Sequence, residues 1–171
     1  MRYAIVTETY PPEVNGVALT VQSLEQGLLD RGHDTTLIRP RQRRDQAAED
    51  RECLIPSLPL PRYPGLRFGL PVAHRLEEIW RTQRPDAIYV ATPHACHQEN
   101  TLLALSAGKA VLCEKPFTIN AREAEQVITS ARTKKLFLME AMWSRCFPLM
   151  DRLRELLASG AIGEVRMLTA D

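Results

Sequence analysis

Residues 3–38 read Y-A-I-V-T-E-T-Y-P-P-E-V-N-G-V-A-L-T-V-Q-S-L-E-Q-G-L-L-D-R-G-H-D-T-T-L-I, and the fold turns on this stretch. Residues 3–7 form a short apolar, β-rich run with the length and flanks of a buried strand. A polar turn follows at residues 8–16, carrying Pro11, Pro12, Asn15 and Gly16. From Val17 the period changes: Val17, Val21, Leu24 and Leu28 share the spacing of one helix face. Gly32 stops that helix, with Arg31 in its last turn. Residues 35–38 return to a strand pattern. Strand, helix and strand in succession predict a parallel pair joined by a right-handed crossover.

The alternation continues to the end of the chain. Residues 39–52 are polar and of mixed charge, read either as a mobile surface loop or as a basic patch for phosphate. Residues 53–56 suit a brief edge strand. In residues 58–71 proline alternates with apolar side chains, which excludes helix and central strand and leaves an ordered loop or a polyproline-like segment. Leu76, Ile79 and Trp80 mark a helix ended by Arg84-Pro85; residues 87–91 are the next strand and 101–107 the next helix. The run A-V-L-C at 110–113 is a strand that stops at Glu114, Lys115 and Pro116. Asn120 is placed to cap a helix over 121–132, with Glu123 in the capping-box position. Residues 136–139 form a strand, Leu149, Leu153, Leu156 and Leu157 line a last helix, and Gly160 and Gly163 lead into a strand at 165–169. This pattern predicts an α/β, Rossmann-like, doubly wound parallel sheet. The expected strand order is 3-2-1-4-5-6, with strands near Cys53, Thr35, Tyr3, Ala87, Ala110 and Leu136. Ligands of such sheets bind at the carboxyl ends of the strands. Glu114 and Lys115 would stand on that rim, as part of a ligand crevice or as a solvated turn.

Composition narrows the class. A chain of 171 residues with 44% hydrophobic content suits one good-sized core. A net charge of +1 gives no field for nucleic acid or an anionic membrane. Cys53, Cys96, Cys113 and Cys146 are scattered, without C-x-x-C spacing, so no metal site is expected and the simplest setting is reduced and cytoplasmic. No apolar run has the length of a signal peptide or a membrane span.

Two family resemblances divide the chain. Residues 1 to about 91 resemble the N-terminal domain of GT-B-fold glycosyltransferases of the retaining family-four kind, through I-V-T-E-T-Y-P-P-E-V-N-G-V-A, L-L-D-R-G-H-D-T-T-L-I-R-P-R, L-P-R-Y-P-G-L-R-F-G-L-P and R-P-D-A-I-Y-V-A-T. That resemblance implies a nucleotide-sugar donor whose phosphates approach Gly16, with Asn15 beside it. The alternative is that Asn15-Gly16 only makes a tight turn before the helix. Residues 87–171 resemble Gfo/Idh/MocA-type NAD(P)-dependent oxidoreductases, in the trans-dihydrodiol dehydrogenase branch. The carriers are I-Y-V-A-T-P-H-A-C-H, L-L-A-L-S-A-G-K-A-V-L-C-E-K-P-F, F-L-M-E-A-M-W-S-R-C-F-P and L-A-S-G-A-I-G-E-V-R.

The second resemblance implies a nicotinamide-side site formed by Thr92, Pro93, His97, Glu114 and Pro116, with Lys115 as the catalytic lysine. Its ammonium would hydrogen-bond the substrate oxygen that gains or loses a proton during hydride transfer. Trp143 and Arg145 match a segment bordering the same pocket. His97 has an alternative role in packing at a helix start, and His94 is read as facing water. NAD or NADP and a small sugar- or diol-like substrate follow from the resemblance. The two likenesses meet at residues 89–92, so the chain reads as a hybrid: a glycosyltransferase-like half (1–91), an oxidoreductase-like half (92–163) and the start of a missing domain (164–171). Three expectations accompany this reading. No G-x-G pair cradles a diphosphate, and no acidic residue ends the second strand, where Arg39 could instead meet a 2′-phosphate. Cofactor binding should therefore be weak, or the folded hybrid inactive. The orphaned strand at 165–169 should add to the sheet edge or pair with a second copy of the chain.

Overall fold

The computed structural model describes residues 1–43, 45–59, 67–70, 72–167 and 169. They form two compact units, Met1–Glu140 and Ala141–Asp171.

The first unit opens with β1 (Arg2–Thr7), α1 (Gly16–Asp30), β2 (Asp34–Pro40) and β3 (Glu52–Ile55). A short pair, β4 (Ser57–Pro59) and β5 (Arg67–Gly69), precedes α2 (Ala73–Gln83) and β6 (Ala87–Ala91). Then come α3 (His97–Ser106), β7 (Ala110–Cys113), α4 (Ala121–Lys134) and β8 (Leu138–Glu140). The main sheet runs β3-β2-β1-β6-β7-β8, all parallel. Numbered among themselves, these six strands have the order 3-2-1-4-5-6 expected from the sequence. β1 lies at the point where the chain changes direction across the sheet, with β2 on one side and β6 on the other.

Alternation along the central strands sorts their side chains to two faces. Ala4, Val6, Ile88, Val90, Val111 and Cys113 join Leu76, Ile79 and Trp80 of α2, Leu105 of α3, and Val127 and Ala131 of α4 in one buried cluster. Ile5 and Leu37 point to the opposite face, and Ala18 and Val21 are the buried apolar side chains of α1. Asn15 caps α1 through Oδ1, accepting from Ala18 N at 2.9 Å. At α4, Asn120 Oδ1 accepts from Glu123 N at 3.0 Å; the Glu123 carboxylate returns to Ile119 N at 3.1 Å, one residue before the usual capping-box partner.

Three sequence expectations need correction. The proline-broken stretch contributes strands after all: β4 and β5 pair antiparallel, Ser57 opposite Gly69. Pro59 is tolerated because a two-stranded ladder leaves one side of each strand unpaired. The rest of that stretch, residues 60–66 and 71, lies outside the described residues. The last helix, α5 (Pro148–Ala158), forms as expected, but none of its side chains is buried; Leu149 is 75% exposed. No strand forms at residues 165–167 either. Gly160 and Gly163 both take positive φ there, and the exposed segment that follows has no ladder partner, without which a strand does not exist.

Candidate active site at the carboxyl edge of the sheet

Strand register assembles the site. Thr7 ends β1 opposite Ala91 of β6, and Val90 pairs with Cys113 of β7. The residues that follow, Glu8, Thr92 and Glu114, therefore leave the sheet side by side. Glu8 N donates to Ala91 O at 3.4 Å, and Glu114 N to Val90 O at 2.8 Å. Between these three exits lies a pocket of about 240 Å³ lined by Glu8, Thr9, Val17, Ala91, Thr92, Pro93, His94, His97, Glu114 and Lys115.

Its walls are cross-linked. His97, the first residue of α3, is buried; its ring bonds Thr92 O through Nε2 at 2.9 Å and Pro116 O through Nδ1 at 2.7 Å. One imidazole thus ties the β6 loop to the Lys115-Pro116 turn. Carbonyl oxygens only accept, so a neutral ring can donate to only one of the two at a time. Thr92 Oγ1 accepts from Asn100 Nδ2 of α3 at 3.0 Å. Glu114 is buried as well: Oε1 accepts from Tyr89 Oη at 2.5 Å and Oε2 from Lys115 N at 2.8 Å. Burial, then the Glu114 hydrogen bond and charge, push the Tyr89 hydroxyl far above its ordinary pKa, so it remains a donor. The carboxylate thus holds the backbone of Lys115, whose side chain is exposed and forms no ion pair among the described residues. Its ammonium is available to a ligand oxygen.

Of the expected site residues, Thr92, Pro93, His97, Glu114 and Lys115 converge on this pocket, and the Pro116 carbonyl anchors its wall. His94, expected in water, lines the pocket too, edge-on to His97 with ring centroids 5.5 Å apart. Asn15 and Gly16 do not line it, although Val17 does. A Cβ built on Gly16 would meet nothing within 4 Å, and Gly16 takes no positive φ, so neither packing nor backbone demands glycine there. Trp143 and Arg145 lie on a 3-10 turn of the second unit, where Trp143 stacks edge-on against Phe147 at 5.0 Å. The site residues the sequence reading missed are Glu8, Thr9 and Tyr89. Glu8 follows a buried strand as Glu114 does, so the same signal was there to be read. Tyr89 required the register.

The loop at residues 8–15 does not fit a dinucleotide diphosphate. Several of its polar side chains are already bonded within the chain. Thr7 Oγ1 and Thr9 bond each other, and Asn15 Nδ2 donates to Thr9 Oγ1 at 2.6 Å. Tyr10 Oη donates to Glu25 Oε2 at 2.6 Å, and Gln42 Nε2 donates to Glu13 Oε1 at 3.0 Å. Where a phosphate cradle needs backbone N–H groups, this loop brings the carboxylates of Glu8 and Glu13. Arg39, expected to be able to meet a 2′-phosphate, is buried, with two guanidinium nitrogens engaged by Glu52 and Nη1 without a partner among the described residues. Its Nε and Nη2 both donate to Glu52 Oε1, at 2.9 and 2.7 Å, and its guanidinium lies 5.4 Å from the Tyr10 ring centroid. Burial of both partners makes that pair structural.

Comparison with known proteins agrees with the sheet. A family model described as an oxidoreductase family with an NAD-binding Rossmann fold (GFO_IDH_MocA) matches residues 36–142, more than half of the chain. Over 86 residues, 50% of the chain, it is 57% identical to D-xylose 1-dehydrogenase (NADP(+)) of Hypocrea jecorina, covering 22% of that enzyme. Over 104 residues, 60% of the chain, it is 46% identical to trans-1,2-dihydrobenzene-1,2-diol dehydrogenase of Oryctolagus cuniculus, covering 32% of it. A mutant 3-ketoreductase of Actinomadura kijaniata, solved with TDP-benzene and NADP, superposes with a TM-score of 0.63 at 27% identity, over 97% of this chain and 46% of that one. Myo-inositol 2-dehydrogenase of Lactobacillus plantarum gives the same TM-score at 17% identity, over 96% of this chain and 42% of that one, a likeness of fold alone. The chain thus spans less than half the length of each of these proteins. The family match crosses residues 89–92, where the sequence reading set a joint, and reaches back to residue 36. Neither the glycosyltransferase resemblance nor the hybrid reading gains support from these relatives. The chain belongs to the GFO/IDH/MocA oxidoreductase family, whose fold is the NAD-binding Rossmann fold.

Proposed function

We propose that this chain is a Rossmann-type nucleotide-binding domain that receives the nicotinamide end of NAD or NADP at the Lys115 pocket, weakly, beside a small sugar- or diol-like substrate. The observation that carries this reading is the convergence of Thr92, His97, Glu114 and Lys115 on one 240 Å³ pocket at the carboxyl ends of three adjacent strands. Lys115 is the catalytic residue of the proposal. Its backbone is held by Glu114, and its ammonium is free to donate to a substrate hydroxyl or carbonyl oxygen. The cofactor supplies hydride chemistry when bound; the chain's own part is to orient the substrate oxygen and manage its proton. The substrate class rests on the relatives' names, a sugar dehydrogenase and a dihydrodiol dehydrogenase. Weakness follows from the loop at residues 8–15. Each phosphate hydrogen bond it forgoes is worth about 1.5–3 kcal/mol, and losing several brings the dissociation constant to about a millimolar.

Fluorescence titration with NADH and NADPH tests the reading. The expected result is saturable binding near a millimolar that Lys115→Ala weakens by about tenfold. The exposed side chain makes this replacement nearly neutral for stability, within about 0.5 kcal/mol. Absence of saturation at millimolar cofactor, with Lys115→Ala indistinguishable from the parent, would overturn it.

A further inference from the structure

We infer that Glu8 is a specificity-determining residue: its carboxylate, held against β5 at the head of the loop to α1 and beside the Lys115 pocket that Glu8 helps to line, repels a dinucleotide's diphosphate and favours nicotinamide ligands that lack phosphate. The inference rests on the proposed function and adds to it the residue responsible and the ligand class preferred.

Three observations support it. First, register fixes the position of Glu8. It follows Thr7 at the end of β1, beside Thr92 and Glu114, and lines the same pocket as Lys115. In doubly wound sheets the diphosphate lies over the turn that follows the first strand, which is the turn Glu8 begins. Second, the carboxylate cannot easily swing away. Its Oε2 accepts from Gly69 N at 2.8 Å, tying β5 to this edge of the sheet. A Cβ built on Gly69 would lie 3.2 Å from Oε1, so the backbone of β5 closes over it. Third, no described cation is paired with it. Glu13, from the same loop, adds a second carboxylate whose Oε2 is buried without a partner among the described residues. The lining of the Lys115 pocket sets Glu8 and Glu114 beside one lysine and two histidines, His94 and His97. A diphosphate over the turn that Glu8 begins meets a carboxylate with no ion-pair partner among the described residues.

The test compares NADH with reduced nicotinamide riboside, which carries the same ring and ribose without phosphate. The parent protein and Glu8→Gln are titrated with both by fluorescence at pH 7.5. Glutamine keeps an oxygen to accept from Gly69 N, so the β5 tie survives, and a thermal melt verifies folding. The inference expects NADH to bind Glu8→Gln at least about tenfold more tightly than the parent, about 1.4 kcal/mol, with the riboside unchanged. In the parent, the riboside should bind no more weakly than NADH. This second comparison needs no variant and stands even if Glu8→Gln does not fold. An unchanged NADH affinity in Glu8→Gln overturns the inference and leaves the proposed function standing. Equal tightening of both ligands also overturns it, since the effect would then not be one of charge. NADH binding the parent more than tenfold tighter than the riboside overturns it as well. No saturable binding of either ligand to either protein overturns the inference and the proposed function together.

Discussion

Glu8 and Glu114 show how differently two carboxylates behave at one sheet edge. Glu114 is buried but receives two donors, the Tyr89 hydroxyl and the Lys115 N–H. Glu8 receives a single backbone donor, Gly69 N, and burial raises its pKa above the ordinary carboxylate value; the Gly69 bond offsets this only in part, and Glu13 adds to it. A folded-state pKa above the unfolded one means that the protonated group favours the fold. That contribution is complete below the unfolded pKa and is lost as pH rises through the folded one. Glu8→Gln carries no such penalty. In urea denaturation, the stability of Glu8→Gln relative to the parent should therefore move in favour of glutamine between pH 4 and pH 7. A difference independent of pH would show that Glu8 is as well solvated in the fold as in the unfolded chain. Cys113 shows the same physics in a thiol: burial pushes its pKa up to about 11, which leaves it an inert core side chain.

At the scale of elements, β2 and β3 are joined by more than their ladder. The Arg39–Glu52 pair crosses between them with both side chains over nine-tenths buried. Removing one member strands a charge in the interior, a loss of about 3–5 kcal/mol. Glu52→Ala should lower the urea-denaturation free energy by that amount, while Arg39→Met with Glu52→Leu should cost much less. A loss below about 1 kcal/mol for Glu52→Ala would mean that water reaches the guanidinium. Much at this scale was legible in the sequence. Asn15 and Asn120 mark helix starts because a short side-chain acceptor is what a free first-turn N–H requires. The four-three-four spacing from Val17 marks α1. The β4–β5 hairpin was not legible, because proline argues against strands in general and only the pairing partner shows which edge is free. The helix expected over 101–107 starts earlier: α3 begins at His97, in the helix-start packing role offered as that residue's alternative, four residues before the apolar pattern does.

At the scale of the whole molecule, the core stops at residue 140. No described side chain of the second unit is buried, and α5 exposes Leu149, Leu153 and Leu157. Hydrogen bonds unsupported by buried apolar contacts open readily. Amide exchange in Pro148–Ala158 should run at least about 100-fold faster than in β1 and β6; protection equal to that of α4 would contradict this. No helix among the described residues is long and apolar enough to cross a membrane. The sequence by itself determined the alternation of strands and helices, the parallel order of the sheet and the rim position of Lys115. Those depend on local periodicity, turn chemistry and chain handedness, which neighbouring residues encode. Only the tertiary structure decided that Glu8 stands beside Lys115, that Tyr89 holds Glu114, that Arg39 is taken by Glu52, and that the segment at 165–167 is not a strand. Each of these depends on which residues meet across strands or find a backbone partner. A one-residue change of register would exchange the faces of every side chain on a strand, and no local pattern states the register.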